Sequence, residues 1–188
     1  MGSALIVSGV LKAASYIEEL LRPMAYDKII IAESGAEARR LAGENDFELA
    51  IINAPLPDEF GHELSLMLGL DTDAGVILLV KSELAQDISD RVEVGGVFVV
   101  PKPISRAFFF NALKITMAAR RKVMTLQREN VKLQTKIEEI RIIDRAKCAL
   151  IQYLNMTEQQ AHRYIEKQAM DMRITKREVA DGILQTYE

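Results

Sequence analysis

Two rhythms of apolar and polar positions alternate along the first 113 residues. Short apolar runs at 4–7, 28–32, 49–53, 76–80 and 97–100 predict five strands. Between them the apolar positions recur every three or four residues. That spacing predicts helices at 11–24 (ending near Pro23), to about 45, 61–70 and 84–94, and another beginning after Pro103. Ser34 and Glu37 have capping-box spacing and open the second of these helices. Strands that alternate with helices imply right-handed crossovers and a parallel sheet covered on both faces. The expected architecture is an α/β doubly wound domain with strand order 2-1-3-4-5.

The rhythm then changes. From Ile104 no Gly or Pro interrupts the chain until Gly182, so one helix is predicted to run from the fifth strand through residue 150. Within it Val123, Asn130 and Ile137 lie seven apart, as do Leu126, Leu133 and Ile140. Taken as a and d positions, they form a short heptad seam with Leu or Ile at each d. Asn130 at an a position favours a parallel two-stranded pairing in register. The flanking charges help little, because Lys136 at g meets Arg141 at e. A helix packed on its own domain is the competing explanation. Beyond it, Thr157–Gln160 and Thr175–Glu178 have capping-box spacing and open two further helices. Ala161, Tyr164, Ile165, Gln168, Ala169 and Met172 should share the buried face of the first, and Val179, Ala180, Ile183 and Leu184 that of the second. Tyr164 is read as a core residue, with stacking on a base as the alternative, Gln168 as a buried bridge and His162 as exposed. The tail is expected to be an all-α three-helix bundle.

Charge divides the chain in the same place. Residues 1–113 hold 9 Lys/Arg against 17 Asp/Glu, and residues 114–188 hold 15 against 10. A basic module behind an acidic one fits nucleic-acid binding, although a solvated helix surface has the same composition. The single cysteine, Cys148, excludes an internal disulfide, and with only two distant histidines no metal site or cofactor is expected. No apolar run is long enough to span a bilayer, and the N-terminus reads as a strand rather than a signal peptide. A cytoplasmic protein is expected.

Function in a doubly wound sheet sits at the carboxyl ends of the strands. Strand three runs into Asn53, Leu56-Pro57-Asp58 and Gly61, and strand five into Lys102-Pro103. This pattern resembles the flavodoxin-like receiver domain of bacterial response regulators over residues 4–115. The resemblance implies a phosphoacceptor aspartate where Asn53 stands, and an amide is no nucleophile. It implies a Mg²⁺-binding acidic pair where Ser8 and Gly9 stand, and a hydroxyl side chain where Val80 stands. Lys102 alone is retained. It is expected to hold Asn53 or a strand-end carbonyl, with a small-anion site as the alternative. The expectation is a pseudo-receiver with no catalytic residue, no phosphoacceptor and no enzymatic activity.

The tail resembles the ANTAR domain, the RNA-binding module of the amidase and nitrate-assimilation antiterminators. The residues that carry this resemblance are Arg145-Ala146-Lys147, Leu150, Glu158 to Ala161, Ala169-Met170 and Val179-Ala180 to Leu184. It implies a dimer that binds stem-loops in leader transcripts and so prevents a terminator hairpin from forming. Arg145 and Lys147 lie at the family's Arg-Ala-Lys site. Arg173, Lys176 and Arg177 cluster where the last helix begins, a place that favours phosphate, and Arg163 and Lys167 form a second strip. All seven are candidate RNA contacts. The domain boundaries read as a pseudo-receiver at 1–115, a coiled-coil linker at 116–142 and an ANTAR domain at 140–188. A DNA-binding regulator and an interaction protein without nucleic-acid affinity remain as alternatives. Control by a partner protein that senses a ligand, by expression level, or by a ligand at the old acidic pocket stays open.

Overall fold

The computed structural model describes residues 2–187. Its contacts divide the chain into two compact units, residues 1–125 and residues 126–188.

The first unit is built on β1 (Ser3–Val7), β2 (Lys28–Ala32), β3 (Leu49–Asn53), β4 (Gly75–Lys81) and β5 (Phe98–Lys102). All neighbouring strands pair in parallel, in the order β2-β1-β3-β4-β5. The crossovers are α1 (Leu11–Leu21), α2 (Gly35–Glu44), α3 (His62–Asp71) and α4 (Ala85–Val92), and β5 leads into α5 (Arg106–Leu154). The doubly wound receiver-like fold with strand order 2-1-3-4-5 is therefore as the sequence predicts.

Side chains of successive strand residues point to opposite faces, and this sorts the core into two layers. Leu5, Val7, Ala50, Ile52, Leu78 and Val80 pack under α2, α3 and α4 through Ala38, Leu64, Leu68, Ile88 and Val92. Ala4, Ile6, Leu49, Ile51, Ile77 and Leu79 pack against Ile17, Leu20 and Leu21 of α1 and against Phe109, Ala112 and Leu113 of α5. Every residue of β3 is buried, which is why Leu49 to Ile52 read as an unbroken apolar run ahead of Asn53.

Local signals mostly act as predicted. The Ser34 hydroxyl accepts the Glu37 N–H at 3.2 Å, but the Glu37 carboxylate reaches past the cap to the Glu33 N–H at 2.9 Å. The Ser34 box is thus half formed. Gly61 opens α3 with φ of 104°, a left-handed conformation that disfavours any side chain.

In the second unit, the end of α5 packs with α6 (Glu158–Met172) and α7 (Lys176–Tyr187). The core is Ala146, Ala149, Leu150, Ala161, Ile165, Ala169, Val179, Ala180 and Ile183. Alanines at five of these nine positions let the helix backbones approach closely, so a small number of residues suffices. The buried stripe of α6 is consequently narrower than its sequence spacing suggests. Tyr164 and Met172 are exposed, and Gln168 is only half-buried, which corrects the expected six-residue face. The Thr157 box is complete. Gln160 N–H donates to Thr157 Oγ1 at 3.3 Å, and Thr157 N–H donates to Gln160 Oε1 at 2.8 Å. Among the described residues, no helix is long and apolar enough to cross a membrane.

Candidate nucleic-acid interface and receiver-like pocket

The carboxyl ends of β1, β3 and β5 bring Ser8, Asn53 and Lys102 together. Lys102 Nζ donates to Asn53 Oδ1 at 2.9 Å and also to the Ala54 carbonyl. Asn53 Nδ2 in turn donates to Ser8 Oγ at 3.0 Å. The Ser8 hydroxyl closes a local turn, donating to Val10 O at 3.1 Å and accepting the Val10 N–H at 3.2 Å. An ammonium, an amide and a hydroxyl thus satisfy one another, with Ser8 and Asn53 both buried. No carboxylate belongs to this chain of contacts. Val80 lies fully buried in register with Pro101 and offers no hydroxyl. Pro55, two residues past Asn53, has no N–H, and the Ala54 N–H is taken by Leu79 O at 3.0 Å. Burial, followed by the like charge of Lys81, pushes the Lys102 ammonium below its ordinary value. Both the Ala54–Pro55 and the Lys102–Pro103 peptide bonds are cis.

Asp58, the second residue after Leu56, turns away from this pocket. Its carboxylate accepts the Gly35 and Ala36 N–H groups, each at 2.9 Å, at the start of α2. Those two backbone donors hold its carboxyl below the usual value. Its neighbour Glu59 forms a forked ion pair with Arg39, one arm of which is 2.9 Å. The Leu-Pro-Asp signature therefore ties the loop after β3 to α2.

The candidate cations of the second unit have unlike environments. Lys147 is half-buried and ion-paired to Asp144 at 2.7 Å and Glu158 at 3.5 Å. The hydrogen bond to Asp144 raises its ammonium above the ordinary value, with burial opposing. Lys176 meets Glu166 at 2.5 Å, and His162 Nε2 lies 3.3 Å from the same carboxylate. Lys176, by hydrogen bond and then by charge, lowers the Glu166 carboxyl. Arg177 lies 3.9 Å from Asp181. Arg173 is exposed and ends α6 in a left-handed conformation, φ 56°, its N–H directed to Ala169 O and Met170 O. Arg145 is exposed near the end of α5. Arg163 and Lys167 are exposed on α6 and form no ion pair among the described residues.

The beginning of α7 is organised by Thr175 and Glu178. Glu178 accepts the Thr175 N–H at 2.7 Å and the Thr175 hydroxyl at 2.8 Å, and the Glu178 N–H donates to Thr175 Oγ1 at 3.2 Å. This is a closed capping box, in which the carboxylate satisfies the cap residue and the cap hydroxyl satisfies the Glu178 N–H.

The seam residues face outward in the single chain. Val123, Leu126, Leu133, Ile137 and Ile140 are each at least half exposed, and Asn130 is exposed with them. An unpartnered apolar stripe on an otherwise polar helix is the form a coiled-coil face takes before pairing.

Residues 131–184 match the ANTAR domain family. The second unit contains an ANTAR domain. In front of that domain, the first unit has the fold of solved receiver domains. One is the signal receiver domain of an HD domain-containing protein from Pseudomonas fluorescens, at a TM-score of 0.58 and 20% identity, covering 66% of this chain and 92% of that one. Another is the response regulator TrrA from Thermotoga maritima, at 0.54 and 24%, covering 62% and 99%. The similarity also extends across both units. The transcriptional regulatory protein PdtaR of Mycobacterium tuberculosis is 26% identical over 170 residues, which is 90% of this chain and 83% of that protein. The chain is accordingly an ANTAR regulator with a receiver-like domain.

Proposed function

We propose that this chain is a cytoplasmic, non-enzymatic antiterminator whose ANTAR domain binds stem-loops in leader transcripts as a homodimer. The match of residues 131–184 to the ANTAR domain carries this reading, because ANTAR domains bind RNA as a class. The exposed cations Arg145, Arg163, Lys167 and Arg173 provide phosphate contacts on its helices. Lys147 and Lys176 act chiefly within the fold, since each is held close to a carboxylate, at 2.7 Å and 2.5 Å, whereas Arg177, 3.9 Å from Asp181, remains available to RNA.

The domain division that goes with this function is a pseudo-receiver at 1–115, a linker helix at 116–142 and an RNA-binding domain at 140–188. Pairing of the stripe from Val123 to Ile140 brings two RNA-binding domains to one transcript, and a second binding event that becomes intramolecular gains affinity without new contacts. The first domain is not controlled by aspartyl phosphorylation. Asn53 cannot accept a phosphoryl group, and Ser8 and Gly9 give Mg²⁺ no carboxylate. Control then comes from outside the pocket, with a sensor protein as the natural partner.

The test is a mobility-shift comparison of paired leader hairpins with duplex DNA of equal charge, joined to a transcription read-through assay. Preferential hairpin binding with increased read-through is expected. Equal or greater affinity for duplex DNA would replace this reading with that of a DNA-binding regulator.

A further inference from the structure

The last turns of α5 form an exposed groove that the candidate contacts above do not explain. Its volume is about 610 Å³, and its walls include Arg141, Asp144, Arg145, Cys148, Gln152 and Tyr153. Tyr153 stacks on Tyr187 of α7, with ring centroids 5.5 Å apart and planes 18° from parallel, yet it is 53% exposed. The stack fixes the ring and leaves much of it open. An exposed aromatic already immobilised by its neighbour is a stacking platform whose ordering cost is met within the fold.

The electrostatics select the class of ligand. Asp144 is the one acid in the wall, and Lys147 holds its carboxylate at 2.7 Å, which removes most of its repulsion for an anion. Arg141 approaches Glu138 only at 4.0 Å, with both side chains more than half exposed, so it remains available to a ligand. Gln152 adds an amide that both donates and accepts. Aromatic face, guanidinium and amide together match an unpaired nucleotide, whose base stacks and pairs by hydrogen bonds while its phosphate carries charge. A simple anion would leave Tyr153 without a role.

We propose that this groove receives an unpaired base of an RNA hairpin loop, stacked on Tyr153, with the adjoining phosphates against Arg141 and Arg145. The proposal rests on the RNA-binding reading above and names the part of the RNA that this surface takes.

Cys148 is the chain's single cysteine and is exposed, so the groove contains its own reporter. The experiment follows maleimide alkylation of Cys148 in the full-length protein, with and without a saturating RNA hairpin. The hairpin should slow alkylation several-fold, and a loopless duplex RNA should not. In parallel, Tyr153→Ala should weaken hairpin affinity about tenfold without changing its salt dependence, and Tyr153→Phe should restore it. If the hairpin binds but neither alkylation nor the Tyr153→Ala affinity changes, the groove assignment falls and RNA binding stands. If Cys148 is unreactive before RNA is added, a second copy of the chain covers the groove and the assignment falls. If no hairpin binds at all, the RNA-binding reading fails first and the groove with it.

Discussion

Lys102 Nζ donates to Asn53 Oδ1 across 2.9 Å, joining the carboxyl ends of β5 and β3. The contact leaves the lysine a structural task. Lys102→Met would strand Asn53 Oδ1 and the Ala54 carbonyl, with Asn53 buried. The expected cost is about 1 kcal/mol of unfolding free energy, the usual loss when a polar partner is removed. Urea denaturation of the variant checks it. An unchanged midpoint would mean that solvent already satisfies Asn53.

Asp58 links folding to pH. Its carboxyl lies below the ordinary value of 3.8 because the Gly35 and Ala36 N–H groups favour the charged form. A carboxyl depressed in the folded state adds stability above its unfolded value and loses it as pH falls through the folded one. Asp58→Asn should therefore lower the urea midpoint at about pH 6, with the gap to the parent closing toward about pH 3. A gap that stays constant with pH would show that the cap does not act through its charge.

The stripe on α5 gives a prediction about assembly. Leu133 is 62% exposed in the single chain, so Leu133→Glu should leave helicity unchanged. In a parallel pair the same change buries two carboxylates at facing d positions. Sedimentation should show the parent as a dimer and the variant as a monomer. A variant that stays dimeric would place the interface elsewhere.

The cations divide by their partners. Arg163 and Lys167 form no ion pair among the described residues, whereas Lys147 is held between Asp144 and Glu158. Joint replacement of Arg163 and Lys167 by Ala should reduce the slope of log affinity against log salt by about 1 to 2. Lys147→Ala should instead lower the thermal midpoint of the domain and leave that slope nearly unchanged. The reverse pattern would exchange their roles.

These contrasts also mark where the sequence stops being informative. The strands were legible because each is an apolar run closed by turn residues, and β2 and β3 match their predicted spans at both ends. The Thr157 and Thr175 boxes were legible because donor and acceptor lie within four residues of each other. Glu158 and Glu166 neutralise Lys147 and Lys176 from another helix, 11 and 10 residues away, and no local pattern encodes such a pair. Tyr164 was misplaced because alanine packing narrows the buried stripe of α6. The Tyr153–Tyr187 stack joins the end of one helix to the end of another, a contact that periodicity does not predict.

The most direct measurement is a titration of a labelled leader hairpin with the full-length protein at low ionic strength, with and without Mg²⁺ and acetyl phosphate. The expected result is saturable binding that weakens with salt, with the same affinity under both conditions. Binding that is absent, or that appears only after acetyl phosphate and Mg²⁺ are added, would contradict it.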